Sequence, residues 1–402
     1  MSETEFSKIN YVIIGSGISS YLLSILLAKK FRTIYLLVDK TGNENIHSHD
    51  FSLVPISFLN LHSIPFNEIG FKNKSPDAYI ERFIYFQKFF LPKSKSKGVS
   101  DWLFHKYKQF GIVNHQLFFT YITKLAEKEP NLKIIKSENH LQIDKIEIEG
   151  NLRKYKIYNE SINIQILEQN LIISDAIISK LFSNPLPNNE NSINKYTLKT
   201  DEILSDSVSH YFFTDTESLK QLSIYPCKNQ SIIKIYTENK VHDPLTDDLI
   251  RFLQKKFDLT NQDIELISND VVYTKINLFN SGLVKIIPEK TLFSYALISD
   301  LFFRLESIFT LSLSLDPEVE LDYANWLQEK LNYYNQVNSF FLGGHKSFNL
   351  NSLGKILSGK DVDHINRISE YFVRFRLKRI FKKEKNPDLD IVKVLFGLRF
   401  LN

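Results

Sequence analysis

The sequence predicts an α/β fold in which a parallel sheet of βαβ type is interleaved with an antiparallel sheet and followed by a helical C-terminus. Three observations predict it. Residues 10–39 run through an apolar stretch, a glycine turn, a helical stretch and a second apolar stretch that ends on an acid. The alternation then stops, and three β-type runs follow between 141 and 167 at hairpin spacing. Most of 318–380 reads as helix.

The first unit carries the most chemistry. Tyr11-Val12-Ile13-Ile14 is a buried-strand pattern that enters the turn Gly15-Ser16-Gly17-Ile18-Ser19-Ser20. Gly15 permits a tight exit from the strand. Gly17 has no Cβ, so its backbone can approach a pyrophosphate, and the helix that follows to Ala28 offers N–H groups and a positive dipole end to that anion. Ser20 holds the third glycine position with a side chain still small enough for close helix–strand packing. The second apolar run, Ile34–Val38, leads into Asp39, 22 residues beyond Gly17, where an acid accepts hydrogen bonds from a ribose diol. A carboxylate there disfavours a 2′-phosphate, so FAD or NAD fits better than NADP. The rival reading is a Rossmann-like βαβ unit that folds this way without a ligand. A signal peptide or membrane anchor fits poorly, because Glu3 and Glu5 precede the apolar run and glycines and serines interrupt it.

Further along, Thr41 to Lys74 reads as loop, and 77–92 as a helix with Tyr79, Phe83, Phe86 and Phe90 at helical spacing. Val113 to Lys128 is predicted helical with Asn114 as N-cap, and Leu132–Ile135 begins a strand. The meander runs are 141–148, 153–158 and 162–167, and 170–177 returns to a buried sheet. Residues 181–194 read as a linker, 195–240 as antiparallel strands, 247–257 as helix, 271–278 and 282–287 as strands, and 296–309 as helix. The organisation this predicts is a nucleotide-binding domain in three segments, 1–75, 113–180 and 276–320, a substrate domain from 76–112 and 181–275, and a helical region at 321–402.

Composition sets outer bounds. At 402 residues the chain exceeds one ordinary core, and 43% hydrophobic with 24% charged residues describes a globular protein. One cysteine, Cys227, excludes an internal disulfide and a cysteine-based zinc site, and fits a reducing, cytoplasmic setting. A net charge of +4 is too small to imply nucleic acid. The basic stretch from Arg374 to Lys385 reads either as a solvated helix face or as a peripheral contact with anionic lipid at the inner face of a membrane. The 32 Phe and 19 Tyr suit core filling or an apolar ligand pocket, the latter built from aromatics in 77–92 and 196–236.

The glycine turn, the helix and strand at 113–135, the meander and the return strand together resemble FAD-dependent oxidoreductases of the aromatic-hydroxylase and geranylgeranyl-reductase type. Within that group the chain is most similar to bacterial lycopene cyclases. His47-Ser48-His49-Asp50-Phe51 sits where the cyclases carry a His/aromatic/Asp segment, Ile233 to Glu238 resembles their central strand, and Leu353 to Lys360 their C-terminal segment. The resemblance implies FAD, held by Gly15, Ser16, Gly17, Ile18, Ser19, Ser20 and Asp39. Lys40 is the nearest cation where the family has an arginine. The second flavin motif falls on Gly282 to Thr291, with Gly282 at its front and Pro288 where a glycine turn is usual. The implied activity is redox chemistry on a hydrophobic small molecule. The alternatives are a cyclase-like non-redox use of the flavin on an isoprenoid, and a silent relative that keeps the fold as a binding or scaffold subunit.

Candidate catalytic groups are Glu238, Asp215 and Glu217, since an acid in an apolar pocket can move a proton at a double bond. Each also reads as an ordinary strand-end or loop acid. His49, with His47 and Asp50, lacks an obvious third metal ligand, so a loop histidine at the flavin edge or a surface turn is expected instead, and no metal site is expected. No Walker loop, nucleophile elbow or His-Glu-x-x-His motif is present.

Overall fold

The computed structural model describes residues 9–38, 50–70, 80–83, 110–137, 139–147, 153–175, 192–204, 208–212, 219–227, 229–238, 247–259, 263–273, 285–288, 300–319, 321–328 and 331. The strands are β1 (Tyr11–Ile14), β2 (Ile34–Val38), β3 (Phe51–Pro55), β4 (Ile80–Phe83), β5 (Phe110–Asn114), β6 (Leu132–Lys136), β7 (Gln142–Glu147) and β8 (Arg153–Tyr158). They continue with β9 (Asn163–Leu167), β10 (Leu171–Ser174), β11 (Ser192–Thr200), β12 (Val208–Phe212), β13 (Leu219–Cys227), β14 (Gln230–Glu238), β15 (Glu265–Tyr273) and β16 (Lys285–Ile287). The helices are α1 (Ile18–Ala28), α2 (Ile56–Leu61), α3 (Phe66–Ile69), α4 (His115–Glu127), α5 (Asp247–Phe257) and α6 (Asp300–Ser314).

A five-stranded parallel sheet, ordered β16-β10-β1-β2-β6, forms the first layer. Side chains alternate across it with period two. Ile13, Leu36 and Ile172 face α1, α4 and α6, where Leu23, Leu27, Phe118, Ile122, Phe303 and Ile308 are buried against them. Val12, Ile14, Leu37 and Ile173 face the opposite way, onto Tyr155, Ile157, Ile164 and Ile166 of the antiparallel meander β7-β8-β9. Strands apolar on both faces are what a parallel sheet covered on both sides requires. The predicted meander and the strand at 132–135 lie where the sequence put them, and the strand expected at 170–177 is described as β10, Leu171–Ser174.

The second layer is a six-stranded sheet ordered β15-β11-β14-β13-β12-β4. Its pairings are antiparallel except that of β12 with β4. Tyr196, Leu198, Leu222, Ile224, Ile233 and Ile235 line one face and pack on Leu249 and Leu253 of α5 and on Leu259. A short antiparallel ribbon, β3 with β5, forms a two-stranded sheet of its own.

Two sequence expectations are corrected here. Within 77–92, Ile80–Phe83 is strand rather than helix, because β12 supplies a hydrogen-bonding edge that helical spacing alone does not reveal. Within the expected loop of 41–74, residues 51–69 hold β3, α2 and α3, with β3 fixed by pairing with β5. The helix expected at 247–257 is α5 with the same ends. That expected at 113–128 is α4, its first turn capped by the Asn114 side chain accepting from the Leu117 N–H at 2.9 Å. The helix expected at 296–309 is described as α6, running to Ser314, and β15 starts earlier than 271, at Glu265.

Candidate nucleotide site at the edge of the parallel sheet

The sheet order departs from β1 in both directions, through β2 to β6 on one side and β10 to β16 on the other. At such a switch point the chain leaves neighbouring strands toward opposite faces, and a crevice opens outside their C-terminal ends. The turn Gly15 to Ser20 occupies that point. The Gly15 N–H donates to the Leu37 carbonyl at 3.1 Å, so the ladder of β1 with β2 persists up to the turn. Gly17 is the N-cap of α1 in extended conformation, and its carbonyl takes the first helical bond from the Tyr21 N–H at 3.2 Å. A glycine cap brings no side chain to the helix end. The first turn of α1 holds no acid of its own to oppose an anion at its positive dipole end.

Small buried side chains complete the turn. Ser16, Ser19 and Ser20 are each under 5% exposed, and Ile18 is fully buried in the core beside them. The Ser19 hydroxyl donates to the Pro288 carbonyl at 2.8 Å, across 269 residues. That bond sets the exit of β16 against the first turn of α1. Pro288, which the family resemblance puts in the second flavin motif, is thereby in contact with the first turn of α1. Asp39 directly follows β2 in the chain, but Asp39, Lys40 and Gly282 lie outside the described residues.

Two groups at this edge were not singled out from the sequence. Asp175 directly follows β10. The buried Tyr323 phenol donates to the Ile286 carbonyl at 3.2 Å. Burial first, and the Asp175 carboxylate second, push that phenol well above the ordinary tyrosine range. The signal for Asp175 was in the sequence: β10 is an apolar strand ending on an acid, as β2 is.

Of the remaining candidates, Glu238 and Asp50 fall among the described residues. Glu238 is the last register position of β14, opposite Ile193, with its side chain outside the described residues. Asp215, Glu217, His47, His49 and the stretch 374–385 are outside them altogether. Asp50 accepts the His115 N–H on its carbonyl at 2.9 Å, a structural role at the start of α4. The aromatics of 196–236 do not share one wall. Tyr196 is 1% exposed on the face covered by α5, whereas Tyr225 and Tyr236 lie on the other face with Lys234, Ser223, Gln221 and Thr197. That face is richer in polar groups than the expected apolar pocket. No group of metal-ligating side chains occurs among the described residues.

No family model and no curated protein matches the chain. Solved structures do. A tryptophan 6-halogenase from Streptomyces toxytricini superposes with a TM-score of 0.58 at 10% identity, over 97% of this chain and 90% of that one. The chain has the fold of the FAD-dependent oxidoreductases. A geranylgeranyl bacteriochlorophyll reductase-like protein from Thermoplasma acidophilum gives 0.55 at 10% identity, covering 90% of this chain and 98% of that one. An aklavinone-11 hydroxylase, solved with FAD and aklavinone, gives 0.55 at 8% identity, covering 84% and 70%. The residues present at the glycine turn fit the pyrophosphate of a dinucleotide such as FAD: a side-chain-free cap, small buried serines and no acid in the first turn of α1.

Proposed function

We propose that the protein binds FAD at the β1–α1 turn and is an oxidoreductase acting on a hydrophobic small molecule. The carrying observation is the glycine turn at the switch point of the parallel sheet, with β16 bonded to it through Ser19. Gly17 lets the backbone meet the pyrophosphate, α1 stabilises its charge, and Asp39 accepts from the ribose. When bound, FAD supplies the electron transfer. The six-stranded sheet supplies the second wall of the substrate space. A hydrophobic substrate is supported by the abundance of aromatic residues and by neighbours that act on aromatic compounds, such as the hydroxylase solved with aklavinone. The cyclase-like alternative leans on Glu238 and Asp215, and no described contact favours it.

A flavin-free relative is the second reading, favoured by Pro288 at the β16 exit in place of a glycine turn. The absorption spectrum of the purified protein separates the two. Flavin bands that disappear in Gly17→Val support the first reading, because a branched side chain would stand where the phosphates bind. A colourless protein that takes up no added FAD supports the second. Contact between residues 374–385 and anionic lipid is part of the proposal on sequence grounds alone, and flotation with anionic liposomes tests it. Among the described residues no helix is long and apolar enough to cross a membrane.

A further inference from the structure

Lys234 stands in the middle of β14, between Ile233 and Ile235, in a strand whose other central positions are isoleucines. It is only 7% exposed. A lysine buried at such a position loses the hydration of its ammonium, and an unbranched apolar side chain of the same length would fill the space without that loss. The charge therefore has a use elsewhere. Its Nζ donates to the Phe51 carbonyl of β3 at 2.5 Å, across 183 residues, and lies 5.1 Å from the centroid of the Tyr225 ring on the neighbouring strand. Phe51 is itself 1% exposed.

The next residue of β3 is held from the other side. The Ser52 hydroxyl and His115 Nε2 are 2.7 Å apart, both buried, and His115 opens α4. Phe51 pairs with Asn114, the cap of α4. Helix α4 packs on α1, with Phe119 edge-on to Tyr21 at 5.4 Å. A continuous set of contacts thus runs from β14 through β3 and α4 to the helix that follows the glycine turn.

We propose that Lys234 is a positioning residue whose buried ammonium pins the β3–β5 ribbon to the six-stranded sheet, so that the substrate sheet and the nucleotide half are held in one geometry. The pin acts on a backbone carbonyl, so it depends on the cationic donor and not on the shape of the side chain alone. It stands on described contacts and does not depend on FAD being bound.

Hydrogen exchange of the protein without added FAD tests it. Lys234→Met should speed exchange in 51–55 and 110–114 by at least about tenfold, as expected for loss of a charge-assisted bond. The meander β7-β8-β9 serves as the internal control and should not change. Lys234→Arg, which keeps a cationic donor, should restore ribbon protection to within about threefold of wild type. Unchanged ribbon exchange in Lys234→Met overturns the proposal, and so does an arginine variant no better protected than the methionine one. If Lys234→Met does not fold, Lys234→Gln carries the test, since its shorter neutral side chain removes the cationic donor: ribbon exchange faster than in Lys234→Arg supports the pin, and exchange equal to it overturns it. Failure of the FAD reading shows separately, as absent flavin uptake by wild type.

Discussion

Replacing Ser19 with alanine removes the hydroxyl that satisfies the Pro288 carbonyl. Ser19 is 1% exposed and Pro288 is buried, so water does not replace the lost donor. Leaving a buried acceptor unpaired costs about 1–3 kcal/mol. Five residues along the same helix, the Ser24 hydroxyl donates to the Ser20 carbonyl at 2.7 Å, and Ser24 is fully buried. That carbonyl sits four residues back within α1, where the helical ladder already supplies its N–H, so Ser24→Ala orphans nothing. It also gains helix propensity of a few tenths of a kcal/mol, or about 0.5 kcal/mol at most. The two variants have the same chemistry and similar burial but should differ by at least about 1 kcal/mol. Urea unfolding followed by tryptophan and far-ultraviolet signals measures both. Equal costs would show that the Ser19–Pro288 contact does not hold the end of β16, and the site built on it would fall with it.

Three further outcomes follow from other described contacts. Asn114→Ala removes the cap of α4 and should destabilise the protein by about 1 kcal/mol in the same urea titration; no loss would remove the capping role. Burial pushes the Cys227 thiol up to about 12, against the opposing pull of Lys234, so the native protein should resist iodoacetamide at mildly alkaline pH while the unfolded chain reacts. Burial holds the His62 imidazole, stacked on Phe309, below its ordinary range. The unfolded chain therefore takes up the proton first, and stability should be full above the ordinary histidine range and decline as pH falls through it. His62→Phe should flatten that decline, and an identical pH profile would refute it.

What the sequence revealed depended on how local the deciding forces are. β1, α1 and β2 were legible because the apolar runs, the glycines and the spacing to Asp39 all lie within one segment. Helix α5 was legible to the residue because Leu249 and Leu253 repeat at helical spacing on one buried face. β3 and β4 were not, since each is short and owes its strand geometry to a partner far along the chain. The start of β15 is expected six residues late because its first half, with Leu266 half exposed, lacks the buried alternation that marks an inner strand. Gly15 to Ser20 and Pro288 were named as one site from family resemblance, and the Ser19 hydroxyl joins them. Lys234 is not legible in the sequence, because a single lysine among isoleucines reads as a solvated strand position until β3 is placed against it.

Whether the β1–α1 turn holds the ADP half of FAD is decided by titrating the protein into FAD, following fluorescence anisotropy, and then adding ADP. Saturable FAD binding that ADP displaces competitively and that Gly17→Val abolishes is expected. FAD anisotropy that stays at its free value, or binding that neither ADP nor Gly17→Val disturbs, would contradict that placement.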